Sequence, residues 1–263
     1  MSRSRNHADI FCDARGIATI TIRDAGPLNI LSKSTMADLT MALNAVAVDS
    51  ALRAVVLRSG NNEAFVAGAD IREMADLDAT GATEFITHLY DLCEAARNCP
   101  VPVIARLSGW CLGGGLQLAA SCDIRLASTT ARFGMPEVRI GMASMIHAAL
   151  IPKLAGDTQA RWLLLTGETI SAVDALQCGL VTKVVACAEL DKAVESTIGA
   201  IVSCGPASVR TQKALLRAWQ TAPIDDAISD TIPMFAKAYE TGEPQHFLRR
   251  FLAERSIKRE SRS

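Results

Sequence analysis

Two glycine-bearing segments, AFVAGADIREM at 64–74 and SGWCLGGGLQLAASCD at 108–123, carry the residue types best suited to chemistry. Each follows an apolar, strand-like run and leads into a helix-like pattern. Glycine permits sharp bends and lets a ligand approach the backbone amides closely. A helix start leaves N–H groups unpaired and partially positive. Two such starts converging would hold a developing oxyanion, which is the geometry of acyl chemistry. Neither segment is a phosphate loop, because no Gly-Lys-Ser/Thr follows, and neither matches the dinucleotide pattern GxGxxG. Singly, each would mark no more than a turn. Their joint occurrence, with Pro136-Glu137 downstream, makes them candidates for a site.

The elements that must position these segments can be read from period and punctuation. Residues 17–22 alternate as a strand, and the turn PLNILS (27–32) offers Ser32, with Ser34 beyond it, as a helix cap. Met36, Leu39, Leu43 and Val46 fall on one helical face. Residues 54–57, 103–105 and 124–127 read as further strands, and 71–77, 83–97 and 116–121 as helices, the first two separated near Gly81. Strand, helix-bearing connection and strand thus recur three times, predicting an α/β fold of repeated ββα-like units without a strict sequence repeat. From Pro136 onward the pattern turns helical, with helices expected over 143–154, 158–165 and 172–177. Cys204-Gly205-Pro206 suggests a boundary, giving a core over 1–200 and a helical region over 201–263.

Composition narrows the function classes. Hydrophobic residues make up 49% of the 263, charged residues 21%, and the net charge is −1. That is a globular composition with no excess charge for nucleic acid. The longest apolar run, 110–120, contains Gln117 and is too short for a bilayer span. Eight cysteines without a CxxC pair, and only four histidines, give no metal-ligand spacing. With no secretion signal at the N-terminus, reduced thiols and a cytoplasmic location are expected. The basic residues of RRFLAERSIKRESRS read as a solvated helix face, with RNA or anionic-lipid contact the alternative.

The motifs AFVAGADIREM, LGGGLQLAASCDIRLA, ARFGMPEVRIG and LLLTGETISAVDALQCGLVTKVV, in that order, resemble the crotonase superfamily, also called the enoyl-CoA hydratase/isomerase family. The match runs from about Ile17 through Val185. The resemblance implies a crotonase-like spiral of ββα turns, and C-terminal helices that form trimers or dimers of trimers. It implies a CoA thioester as substrate, with no separate cofactor. By position, Ala69 and Gly114 would supply the oxyanion-hole N–H groups, beside Gly113. Ala67, Gly68, Asp70, Ile71 and Arg72 would form a CoA-contacting stretch, with Leu28 and Asn29 another CoA wall. Asp70 is equally readable as a helix cap.

Hydratases of this family usually carry two catalytic glutamates, whose positions here are Gln117 and Glu137. An amide can orient water but cannot exchange a proton with it at ordinary pH. Glu137 is therefore the expected acid/base. One carboxylate suits shuttling a proton from C2 to C4 of an enoyl chain, whereas hydration would leave Gln117 only orienting water. A second departure is MASMIHAAL at 142–150, in place of the glycine-rich IPGAGGTQ common in hydratases. Without those glycines the segment should be more helical and bulkier. Met142, Met145 and Ile146 are expected in the core or the acyl pocket. His147 is expected as a packed residue, or as a pocket imidazole standing in for the missing acid. Other readings are a CoA-binding protein with little catalysis, another crotonase-fold reaction such as thioester hydrolysis or decarboxylation, and a ClpP-like serine protease. The last has only Ser108 and Ser121 near the glycines and no motif around either.

Overall fold

Runs such as IATITI and VIARL place β-branched residues where a pleated sheet buries them. The computed structural model describes residues 2–4 and 6–260. The strands are β1 (Ser2–Ser4), β2 (Ala8–Cys12), β3 (Ile17–Ile22), β4 (Ala54–Ser59), β5 (Ala64–Val66), β6 (Val103–Leu107), β7 (Trp110–Leu112), β8 (Ile124–Ser128), β9 (Arg132–Gly134), β10 (Thr169–Ser171) and β11 (Lys183–Val185). They form a seven-stranded sheet ordered β1-β2-β3-β4-β6-β8-β11 and a four-stranded sheet ordered β10-β9-β7-β5.

The pairs β4/β5, β6/β7 and β8/β9 each give one strand to either sheet, and within each sheet these strands run parallel. This is the expected spiral of ββα turns. Every residue of β6 is buried, as befits a parallel strand covered on both faces.

Helices α1 (Lys33–Ala47), α2 (Ile71–Ala75), α3 (Ala79–Arg97), α4 (Gly114–Ser121), α5 (Ile151–Thr166), α6 (Ala172–Gln177) and α7 (Leu190–Val202) follow, with α8 (Pro206–Ala218), α9 (Ile224–Ser229), α10 (Thr231–Glu240) and α11 (Glu243–Glu260) closing the chain. Ser32, not Ser34, caps α1, accepting from the Thr35 N–H. The apolar stripe Met36, Leu39, Leu43 and Val46 is buried, with Phe85, Leu89, Leu92 and Ala96 of α3 in the same core.

Two expectations are corrected. Gly81 does not separate helices: it lies in the first turn of α3, its N–H donating to the Asp78 cap at 2.8 Å. Nor is 143–154 a continuous helix. Residues 142–145 are non-helical, a 3-10 turn spans Ile146–Leu150, and α5 begins at Ile151 with a break at Gly156 (φ +76°). Ile146 itself takes φ +48°, a left-handed conformation costly for a β-branched residue. Apolar spacing alone did not reveal that break.

The chain divides after Ile198 into two compact units. In the second, the Glu243 carboxylate accepts from the N–H groups of Ala207 and Ser208, capping α8. Among the described residues no helix is long and apolar enough to cross a membrane, and no cluster of His, Cys, Asp and Glu could hold a metal ion.

Candidate active site

Each chemically important position follows the C-terminal end of a parallel strand in the smaller sheet. β5 ends at Val66, shortly before Ala69; β7 ends at Leu112, shortly before Gly114; β9 ends at Gly134, and the 3-10 turn Pro136–Ile140 carries Glu137. With β7 between β5 and β9, the three ends are neighbours. Beyond the carboxyl ends of parallel strands is where α/β sheets bind ligands.

Backbone hydrogen bonds aim the first of these segments. Ala67 N–H donates to the Leu28 carbonyl, Leu31 N–H to the Gly68 carbonyl and Asp70 N–H to the Leu31 carbonyl, each at 2.9 Å. Since the Gly68 carbonyl points at Leu31, the N–H of the same planar peptide, that of Ala69, points the other way. It meets no acceptor among the described residues.

The second segment is pinned by Gly113 N–H donating to the Gly134 carbonyl at 2.9 Å, while Gln117 N–H donates to the Gly113 carbonyl at 3.0 Å. Gly114 is the first residue of α4, so its N–H has no intrahelical acceptor. Glycine is required twice here. Gly113 has φ +51°, and a Cβ at Gly115 would lie 2.2 Å from the Val66 carbonyl oxygen. The start of α4 is thus seated directly on β5.

Ala69, Gly114, Gln117 and Glu137 line one cavity of about 530 Å³. Its walls are apolar, with Met74, Leu77, Phe85, Ile86, Leu89 and Met142 among them. Burial pushes the Glu137 carboxyl above its ordinary pKa, with Ser144 and Gln117 partly offsetting the rise. The group is thereby kept closer to proton exchange at neutral pH than a surface glutamate.

The remaining expected residues have other surroundings. Asn29 is buried at φ +50°, and its Nδ2 donates to Ser59 Oγ, the Ala64 carbonyl and the Phe65 carbonyl. It therefore braces β5 rather than facing the cavity. Leu28 is half exposed, and Ala67 and Gly68 serve as backbone partners of the 27–32 turn. Asp70 caps α2, accepting from Arg72 N–H at 2.9 Å, while Ile71 and Arg72 are exposed.

His147 is buried against α3, with its Nε2 2.8 Å from Glu94 Oε1 and its ring tilted beside Tyr90. Burial lowers its pKa, against the raising effect of Glu94. It is outside the cavity wall, so the imidazole does not replace a missing acid there. Met142 and Met145 do line the cavity, whereas Ile146 packs on the core. Sequence reasoning missed Ser144, a lone hydroxyl seven residues beyond Glu137 whose Oγ is buried in the same wall.

Comparison with known proteins identifies the family. The family model for enoyl-CoA hydratase/isomerase matches residues 13–261. The chain belongs to the enoyl-CoA hydratase/isomerase family. It is 35% identical over 243 residues to the crotonyl-CoA hydratase of Syntrophomonas wolfei subsp. wolfei, covering 91% of this chain and 92% of that one. It is 32% identical over 242 residues to the short-chain-enoyl-CoA hydratase of Clostridium acetobutylicum, covering 92% and 93%. Among solved structures, the enoyl-CoA hydratase of Mycobacterium smegmatis superposes with a TM-score of 0.85 at 32% identity, covering 89% and 91%.

Proposed function

We propose that the protein hydrates a 2-enoyl-CoA, with Ala69 and Gly114 N–H groups binding the thioester oxygen and Glu137 moving the proton. One observation carries the reading: two unpartnered amide donors and a carboxyl with a burial-raised pKa line a single apolar cavity. The donors stabilise the enolate formed when a nucleophile adds at C3, and such pre-aimed donors are worth about 3 kcal/mol each. The apolar wall suits an acyl chain, and the hydratase names of the relatives at 32% and 35% identity favour catalysis over binding alone.

A second reading, 3-enoyl to 2-enoyl isomerisation, draws on the single carboxylate: Glu137 alone could take a proton from C2 and return it at C4. CoA enters both readings as part of the substrate, with no separate cofactor. A cytoplasmic protein is proposed, working as a homotrimer or dimer of trimers. Supporting assembly, the second unit exposes Leu216, Trp219, Ile228, Ile232 and Phe235 on the isolated chain.

Incubation with crotonyl-CoA and, separately, a 3-enoyl-CoA in D₂O distinguishes the reactions by mass spectrometry. Hydration predicts a gain of one D₂O from crotonyl-CoA. Conversion of the 3-enoyl substrate without hydration of either would select the isomerase reading, and inertness toward both would overturn the proposal.

A further inference from the structure

Three buried polar atoms in the cavity have no hydrogen-bond partner among the described residues: Gln117 Oε1, Glu137 Oε2 and Ser144 Oγ. Buried polar atoms are ordinarily paired, so three together in one wall are unusual. They share that wall with the Ala69 and Gly114 amides. All three atoms belong to residues that line the same cavity.

Their chemistry specifies what the cluster takes. An amide oxygen and an ionised carboxylate oxygen can only accept, while a serine hydroxyl can also donate. One water matches this set, donating to Gln117 Oε1 and Glu137 Oε2 and accepting from Ser144 Oγ. Three bonds to otherwise unsatisfied groups is the usual complement of a buried water. The second lone pair on the water oxygen remains free to attack carbon.

We propose that Ser144 is a catalytic residue, the hydroxyl that completes with Gln117 and Glu137 the seat of the water added in hydration. This rests on the hydratase reading above. As the water oxygen bonds to C3, one water O–H breaks and its proton passes to Glu137. The C2=C3 π pair moves toward the thioester, whose oxygen becomes the enolate held by Ala69 and Gly114. Glu137 then returns the proton to C2, restoring the carbonyl and its own carboxylate. The sum is addition of H and OH across the double bond, with Gln117 and Ser144 unchanged. The geometry thus lets a hydroxyl and an amide orient water where two carboxylates would otherwise share the work.

The test compares two reactions of Ser144→Ala and Ser144→Thr. Hydration of crotonyl-CoA needs the seated water. Exchange of the C2 protons of butyryl-CoA in D₂O needs only Glu137 and the oxyanion donors. In Ser144→Ala the ratio of hydration to exchange should fall roughly 100-fold, carried by kcat and not KM, the scale of a misplaced reactant. Threonine, which keeps the hydroxyl, should recover most of that ratio.

An unchanged ratio in the alanine variant would overturn the role, as would threonine behaving like alanine. Wild-type protein that exchanges but never hydrates would overturn the water seat while leaving Glu137 as the base. Wild-type protein that does neither would overturn the functional reading itself.

Discussion

The site has two halves of different construction. One is backbone: the Ala69 N–H is turned into the cavity by the bonds that pair its flanking peptides with Leu31, and Gly114 opens a helix seated on β5. The other is side chain: Gln117, Glu137 and Ser144 reach the same cavity from α4, a 3-10 turn and a non-helical stretch. The backbone half follows from strand pairing, which is over-determined by many hydrogen bonds. The side-chain half depends on single residue choices. Stabilising an enolate is therefore built into the fold, whereas the fate of that enolate is decided by three side chains.

The strongest way to break the comparison is Glu137→Gln, which leaves both amide donors in place. Hydration and C2 exchange should both fall by about 10⁴-fold, the upper range for removing an acid/base group. Stopped assays with crotonyl-CoA and butyryl-CoA check this, and near-normal turnover would show that the acid/base lies elsewhere.

The same variant has a stability signature. Burial raises the folded-state pKa of Glu137, so ionisation at neutral pH opposes folding. That penalty is present above the raised pKa and disappears as pH falls toward the unfolded carboxylate value. Glu137→Gln should thus be more stable than wild type near neutrality, with the gap in denaturant midpoint closing as pH is lowered.

Gly115→Ala attacks the other half. Its Cβ would meet the Val66 carbonyl oxygen at 2.2 Å, so α4 must shift and carry the Gly114 N–H with it. A loss of roughly 100-fold in kcat for hydration and exchange alike is expected, the scale of losing an oxyanion donor. Overpacking of this kind also costs about 1–3 kcal/mol, readable by urea denaturation.

Gln117→Glu is the smallest change and sharpens the side-chain half. A second carboxylate can take and give a proton, so hydration should rise roughly tenfold while exchange changes little. The added like charge should push the Glu137 pKa higher still, moving the acidic limb of the kcat/KM profile to higher pH. Unchanged hydration would mean that the amide already performs all that an acid would.

Legibility in the sequence follows the same division. Ala69, Gly114 and Glu137 were assigned through the resemblance to the crotonase superfamily, while the glycines and the proline by themselves marked only the strand ends that precede them. The alternating run at 17–22 and the apolar stripe of α1 translated directly into a strand and a buried helix face. Asn29 was expected as a wall because it is a turn residue beside a site; its amide ties β5 to β4, with two hydrogen bonds to the Ala64 and Phe65 carbonyls and one to Ser59. Ser144 was hidden for a different reason. MASMIHAAL has helical apolar spacing, and nothing in that spacing announces the left-handed Ile146 or the non-helical residues before it. His147 was spaced like a core residue and is one, anchored to Glu94.

The three neighbouring strand ends also bear on how such a protein can change over generations. A peptide N–H is present whatever amino acid the codon specifies, proline excepted, so most substitutions at Ala69 or Gly114 leave the donor itself in place. Anion binding is in that sense tolerant of side-chain change at the donor positions themselves, though not at the supporting Gly113 and Gly115. Variation is free to accumulate at Gln117, Glu137 and Ser144, one step beyond the scaffold, and each replacement there alters the outcome without first having to rebuild the grip.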